Sequence, residues 1–174
     1  MFECPIIWYD DKDLSIIFDR VPRVCVRYPL PSNTEEEIKH IKKYPFVNIK
    51  KLNVVLKDKK KNKNYKFEIG AYYYYDGASV PRLFWRVIGS NTDNSFLIAA
   101  LIHDVLCENH SYVDNDRHFS SEVFNALLTT SDVPAFKRFL MKHSVDFFQR
   151  FCGWEKPKKQ NDKILLEGGQ CKNL

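Results

Sequence analysis

The spacing of hydrophobic and polar positions divides the chain into a first half typical of strands and a second half typical of helices. The first half contains four strand-like segments, at 14–19, 23–28, 52–58 and 65–75. In the last of these, Tyr65, Phe67 and Ile69 alternate with polar residues, which predicts a strand with one buried face. Together with the preceding segment it predicts a hairpin around a Lys/Asn loop. The segment 28–46 predicts a loop that opens a short helix, with Thr34 as its N-cap.

The second half contains four helix-like segments, at 81–89, 92–110, 114–130 and 131–154. From Phe96 to Ile102 the second of these is apolar on every side, which predicts a helix that is buried all round. Strands and helices in separate blocks favour an α+β fold over an alternating α/β fold. We therefore expect a small antiparallel sheet in the N-terminal half, packed on a C-terminal helical half with a buried central helix.

An apolar stripe runs along the last predicted helix. Its members recur at three- and four-residue steps: Phe136, Phe139, Leu140, His143, Phe147 and Phe151. This period predicts that the stripe faces the core. His143 would then approach His103 of the central helix, either as a packed core residue or as a supporting residue of a site.

Length and composition indicate one ordered domain. The chain has 174 residues, of which 44% are hydrophobic and 14% aromatic, which excludes a disordered composition. We assign 1–154 to this domain and expect 155–174 to be a polar, loosely ordered tail. No apolar run approaches the roughly 20 residues that span a membrane, and the N-terminus does not resemble a secretory signal.

Cysteines and charge narrow the class of protein further. The five cysteines form no C-x-x-C pair, so reduced thiols in a cytoplasmic protein are expected rather than a zinc knuckle. The net charge of +5 is concentrated in two basic runs, at 57–66 and 155–163. Because charge runs are usually solvated, we expect a loop and a tail there, and not a nucleic-acid site.

His103 and Asp104 are the first candidates for chemistry. An ionisable pair inside an apolar helix is unfavourable unless it is hydrogen-bonded or bound to a ligand. In a functional interpretation, His103 is a general base or metal ligand, and Asp104 orients it or is a second ligand to a divalent metal. In a structural interpretation, Asp104 accepts hydrogen bonds from the turn at 76–79 or from Arg82, and His103 is a satisfied core residue.

The turn "YDGASVP" is the second candidate. Asp76 can form an Asx turn, Gly77 can take a positive φ, and Ser79 can cap the helix that Pro81 begins. The same atoms suit a site, because amides at a helix N-terminus bind anions and a serine beside a histidine can act as a nucleophile. The pattern G-x-S-x-G of α/β-hydrolases is absent.

Three motifs resemble a family found in bacteriophages and prophages, the domain of unknown function 1353. They are "DGASVPRLFWRVIG", "AALIHDVLCENH" and "RHFSSEVFNALL", within 70–133. The resemblance implies an acidic residue in the third motif, where this chain has Ser121, so Asp116 would have to take its place from one turn earlier. Cys107 stands where the family has an aromatic residue. No established activity comes with the resemblance.

Three functions stay open at this point. The first is a small phage hydrolase that uses His103, Asp104, Asp76 and Ser79, with Arg82, Asp116 and His143 in support; a host polymer is its candidate substrate. The second is a non-enzymatic virion or assembly component with other virion proteins as partners. The third is a basic factor that acts on nucleic acid or host defence, for which no recognition motif is present. The expected location is the host cytoplasm, or the virion for a structural component.

Overall fold

A computed structural model describes residues 5–77, 94–114, 116–130, 133–152 and 164–166. The strands are β1 (Ile6–Asp10), β2 (Leu14–Phe18), β3 (Val24–Val26), β4 (Phe46–Asn48), β5 (Leu52–Asp58), β6 (Lys63–Ile69), β7 (Tyr73–Tyr75) and β8 (Ile164–Leu166). The helices are α1 (Glu35–Lys43), α2 (Asn94–Glu108), α3 (Arg117–Thr129) and α4 (Ala135–Cys152), with a short 3-10 turn at His110–Val113. Along the chain, most of the antiparallel strands come first and most of the helical residues follow, so the predicted α+β class is confirmed.

The larger sheet contains the predicted hairpin. Within the described residues its strand order is β1-β2-β5-β6-β8, and every neighbouring pair is antiparallel. Tyr65, Phe67 and Ile69 of β6 are buried as predicted, and they pair with Leu56, Val54 and Leu52 of β5, which are buried on the same face. This apolar face is the part of the core that the sheet contributes.

The segment 65–75 is not one strand, as its aromatic run suggested, but two. After β6 the chain leaves the first sheet, and β7 pairs with β4 in a second sheet of order β3-β4-β7. Asn48 fixes the passage of the chain from one sheet to the other. Its side-chain amide donates to the Gly70 carbonyl over 3.1 Å, and its backbone carbonyl accepts from the backbone amide of Tyr72 over 2.7 Å. Tyr72 has a φ of +62°, which no strand residue adopts, so the strand must break there.

Capping residues set the helix boundaries. Thr34 caps α1 as predicted, and Glu37 completes a capping box with it. The third predicted helix begins at Arg117 and not at 114, because Asp114 has a φ of +57° and the Asp116 carboxylate caps the amide of Phe119. The predicted helix at 81–89 lies outside the described residues.

The central helix α2 is buried as predicted. Its side chains from Phe96 to Leu106 are at most 4% exposed, and α3 packs along it. The helices α3 and α4 pack on each other in turn, so α3 lies between its two neighbours. Among the described residues, polar side chains on α2 meet groups from β7, from the turn after it and from these helices.

The orientation predicted for α4 is wrong. Phe136, Phe139 and Phe147 are 69%, 57% and 62% exposed, and His143 is exposed beside them with its ring 4.2 Å from that of Phe139. The face that packs on the core consists of Met141, Ser144, Val145 and Gln149. His143 therefore does not approach His103 from the core side.

Part of the expected loose tail is ordered. Ile164, Leu165 and Leu166 form β8, which pairs with Ile69, Glu68 and Phe67 at the edge of the larger sheet. The remaining residues of 155–174 lie outside the described residues, and the division at residue 154 stays a prediction. None of the helices in the described ranges is long and apolar enough to cross a membrane.

Candidate functional site around His103

The helix α2 carries His103 and Asp104 into the core. The two side chains belong to residues that are 3% and 4% exposed, and the alanines one turn earlier, Ala99 and Ala100, are fully buried. Small side chains there let neighbouring elements pack closely on the helix, so the space over the alanines is occupied by protein. At this depth each polar atom needs a partner from the fold.

Asp104 holds the turn that follows β7. Its Oδ2 accepts a hydrogen bond from the backbone amide of Gly77 over 3.2 Å. Gly77 has a φ of +93°, and a Cβ built on it would lie 2.4 Å from Cε2 of Phe46, so no larger residue fits without displacement of that ring. The contact between the central helix and the "DGAS" turn that the sequence suggested is therefore present, through the aspartate.

His103 lies between Asp104, Cys107 and Phe124. Its Nδ1 is 3.7 Å from Oδ1 of Asp104, and its ring centroid is 5.3 Å from that of Phe124. The Sγ atom of Cys107 is 3.6 Å from both ring nitrogens. A sulfur at equal distances from both nitrogens lies beside the ring and not on the line of either N–H bond, so the sulfur and imidazole are in contact without an aligned hydrogen bond.

Gln149 of α4 completes the cluster. Its Nε2 is 2.6 Å from Nε2 of His103, 3.1 Å from Sγ of Cys107 and 3.2 Å from Oγ of Ser120. Its Oε1 accepts from the hydroxyl of Ser121 over 3.3 Å. We call these five residues and Asp104 the His103 cluster. It joins α2, α3 and α4 through polar side chains at the centre of an otherwise apolar region.

The charge state of His103 is set by its neighbours. Burial opposes the charged imidazolium, but Cys107 and Asp104 outweigh it and raise the pKa of His103 to about 10. An imidazolium has a proton on Nε2, so the Gln149 amide must then turn its oxygen toward that atom. A neutral ring accepts from the amide nitrogen instead. The cluster thus has two consistent hydrogen-bond arrangements, which differ by one proton and one amide rotation.

The sequence of this chain matches a known family over residues 52–145, more than half of its length. That family is described as protein of unknown function (DUF1353). The chain belongs to it. The matched region includes β5 to β7, α2 and α3, and thus every member of the His103 cluster except Gln149.

A relative in the bacterium Sinorhizobium fredii (strain NBRC 101917 / NGR234) is described as "Uncharacterized protein y4jT". It is 44% identical over 43 residues, which are 25% of the DUF1353 chain and 13% of that protein. No solved structure matches the chain significantly. The comparisons establish membership in the family, while activity has to be argued from the cluster itself.

The other predicted site residues of this DUF1353 protein either are not members of the His103 cluster or lie outside the described residues. Asp76 is exposed. Asp116 caps α3 and pairs with Lys61, so it does not take the place of the acidic residue that Ser121 replaces. His143 is on the exposed face of α4. Ser79 and Arg82 lie outside the described residues.

Sequence reasoning missed Gln149 as a site residue and gave Cys107 and Ser121 only as departures from a motif. One signal was available for Gln149: it follows Met141 and Val145 at four-residue steps, on the face of α4 opposite the phenylalanines. No group of three or more His, Cys, Asp or Glu side chains among the described residues could hold a metal ion. The metal expected at His103 and Asp104 therefore has no ligand set within the described ranges.

Proposed function

We propose that this protein is a non-enzymatic structural or assembly component, in which the His103–Asp104 pair holds the helical half against the turn after β7. One observation carries the proposal: both residues are at least 96% buried and hydrogen-bonded to the fold. A catalytic pair needs access to a substrate, whereas a structural pair needs partners within the protein. Because three motifs resemble a family found in bacteriophages, we propose that the protein has this role in a bacteriophage particle or in its assembly in the host cytoplasm.

The Asp104 carboxylate is suited to this structural role. Hydrogen bonds from a backbone amide to a charged acceptor are stronger than neutral ones, and a low-dielectric surrounding increases the difference. The bond to Gly77 connects α2 to the end of β7, two elements that are remote along the chain. Replacement of the carboxylate by a neutral amide would weaken this bond, because the buried acceptor would lose its charge.

The charges of the basic hairpin loop do not favour a nucleic-acid role. Lysines in and beside the loop between β5 and β6 form ion pairs with acidic residues of the same chain: Lys59 with Asp10, Lys60 with Glu122, Lys61 with Asp116, and Lys63 with Asp114. A phosphate-binding surface needs uncompensated positive charge. The loop is therefore a solvated surface whose lysines pair with acidic residues of the same chain.

A small hydrolase is the second candidate, and one observation favours it. Cys107 is only half-buried, and its sulfur lies against an imidazole whose pKa is raised. A thiol beside a base is a candidate nucleophile. In that case Cys107, and not Ser79, would attack the substrate, and a host polymer would be the substrate class that a phage context suggests.

The experiment that tests the structural role compares Asp104→Asn with Asp13→Asn, a control aspartate whose side chain is 36% exposed and forms a surface ion pair with Lys60. We expect Asp104→Asn to lower the free energy of unfolding by about 1–2 kcal/mol, and the control by less than about 0.5 kcal/mol. Chemical denaturation followed by circular dichroism measures both. An Asp104→Asn protein as stable as the wild type would contradict the role, as would a stoichiometric metal in the wild type that His103→Gln removes.

A further inference from the structure

The exposed face of α4 carries large aromatic side chains at helical spacing. Phe136, Phe139 and Phe147 are each more than half exposed, and His143 is exposed among them with its ring 4.2 Å from that of Phe139. We call these four residues the α4 stripe. With about 100° between successive residues of a helix, they lie within a sector of about 80° of the helix surface. The α4 stripe is therefore a narrow ridge along the outside of the helix.

The α4 stripe has the size of a binding surface. A phenylalanine buries about 150–250 Å² in a protein, so three rings that are more than half exposed present roughly 300–400 Å² of aromatic surface to solvent. Apolar patches of a few hundred Å² on a folded protein often mark an interaction site. A standard protein–protein interface takes about 800 Å² from each partner, so the stripe matches one docked element rather than a whole domain.

The shape of the α4 stripe favours a helix as that element. Its members recur at steps of three and four residues, which is the pattern of a seam between two packed helices. A helix that lies on a membrane presents a broad apolar face instead. The α4 stripe is narrow and has a polar ring, His143, in its middle. A second helix packed along the ridge would cover the phenylalanines and meet the charged residues beside them.

The charges beside the α4 stripe define the chemistry of the partner. Four charged residues follow one side of it at four-residue steps: Arg138, Lys142, Asp146 and Arg150. The carboxylate of Asp146 lies 3.5 Å from Nη1 of Arg117 in α3, so its charge is compensated within the fold. Among the described residues Arg138 donates to the Val133 carbonyl over 2.8 Å but forms no ion pair, and Lys142 forms none either. This side of the stripe is therefore positively charged.

A second copy of the chain does not supply the matching charge. Asp146 is the only acidic residue of α4, so a contact between two α4 helices would bring cations mainly against cations. Like charges that face each other across an interface are unfavourable. An acidic partner has the opposite effect, because its carboxylates pair with Arg138 and Lys142 and are attracted to them during the encounter.

We propose that the α4 stripe binds an amphipathic α-helix of another protein, whose apolar residues pack on the phenylalanines and whose Asp or Glu residues face Arg138 and Lys142. The phenylalanines are the anchors, because aromatic side chains at the centre of an interface contribute much of the binding energy. The cations select the partner by its charge. The inference goes beyond the structural role of the His103–Asp104 pair and does not depend on it, because that pair is buried and the stripe is exposed.

A defined peptide tests the proposal with the full-length protein. The probe is a fluorescein-labelled amphipathic peptide of about four heptads, with Leu along one seam and Glu beside it, and its control has Lys in place of every Glu. Fluorescence anisotropy measures the two dissociation constants. We expect the Glu peptide to bind at least about tenfold more tightly than the Lys peptide, and added salt to weaken its binding. No binding, or equal binding of the two peptides, would overturn the proposal.

Variants test whether the α4 stripe is the surface that binds. Phe139→Ala should weaken binding of the Glu peptide by at least about tenfold, with Phe136→Ala as the second variant if the first does not fold. Tyr28→Ala is the control and should change binding by less than about twofold, since Tyr28 is more exposed than Phe139 but lies outside α4. Lys142→Glu should reduce the preference for the Glu peptide by at least about fivefold. Wild-type affinity in a folded Phe139→Ala protein would place the peptide elsewhere, against the proposal.

Two other occupants of the α4 stripe are distinguished by the same variant. A wild-type dimer in sedimentation equilibrium that Phe139→Ala dissociates would make a second copy the occupant. Binding to phosphatidylglycerol vesicles that Phe139→Ala abolishes would make a lipid surface the occupant. Either result would contradict the acidic helix. Each of these measurements reports binding and not stability, so a failure here is distinguishable from a failure of the structural role tested by Asp104→Asn.

Discussion

The hairpin β5–β6 and the helix α4 both carry a strong apolar period, yet only the hairpin buries the residues that its period selects. Tyr65, Phe67 and Ile69 are at most 6% exposed. The phenylalanines Phe136 and Phe139 of α4 are more than half exposed, while Gln149 on the opposite face is 6% exposed.

The difference lies in what each element packs against. The hairpin meets an apolar core, so its most apolar face is also its best-fitting face. The helix α4 meets the polar side chains of His103, Ser120 and Ser121, which need hydrogen-bond partners. A face with Gln149 gives His103 and Ser121 a hydrogen-bond partner, which a face of phenylalanines could not supply. The need of these buried polar groups for hydrogen-bond partners thus explains why α4 does not bury its most apolar face.

The largest effect is expected at the hairpin. Phe67 is 3% exposed on the apolar face of β6, and Phe67→Ala should destabilise the protein by about 3–5 kcal/mol through lost burial and a cavity. Urea denaturation measures the change. A loss of less than about 1 kcal/mol in the free energy of unfolding would show that this face of β6 does not contribute to the hydrophobic core.

A second prediction concerns Gly77, where the strand half and α2 meet. Gly77→Val should cost at least about 2 kcal/mol, because its positive φ and the close approach of Phe46 both disfavour a side chain. Thermal unfolding measures it. The steric part can be separated: in a Phe46→Leu background the same substitution should cost less. An unchanged melting temperature for Gly77→Val would contradict the left-handed conformation.

The third prediction uses the pH. Between the ordinary pKa of about 6.5 and the raised value of about 10, folded His103 holds a proton that the unfolded chain does not. Stability from this group is therefore complete below about pH 6.5 and is lost as the pH rises toward 10, by at most about 1.4 kcal/mol per pH unit. His103→Gln should flatten the curve of unfolding free energy between pH 7 and 9 relative to wild type. Parallel curves would indicate a neutral imidazole that accepts from Gln149.

Local patterns in the sequence predicted the elements that bury mainly apolar side chains. The β5–β6 hairpin, the capped start of α1 and the buried α2 were all indicated by period or by caps that act over a few residues. The contact of Asp104 with the turn belonged to one of two interpretations of the pair, and the hydrogen bond from the Gly77 amide is present.

Features that depend on remote residues could not be read in this way. The break in the strand at Tyr72 depends on Asn48 in another strand, and β8 depends on the free edge of β6. Gln149 became a site residue only because α4 packs its polar face toward His103. In each case the deciding partner lies more than 20 positions away, where no local period carries a signal.

The smallest effect is expected on the exposed face of α4. Phe139→Ala should change the free energy of unfolding by less than about 0.5 kcal/mol, because the ring is 57% exposed and its contact with His143 is on the surface. Met141→Ala, two positions along the same helix but fully buried, is the matched control and should cost about 2–5 kcal/mol. Both variants are measured by urea denaturation under the same conditions. If the order were reversed, the phenylalanine stripe would face the core and the apolar period would have predicted α4 correctly. The burial of Gln149, and with it the explanation from polar satisfaction, would then fail.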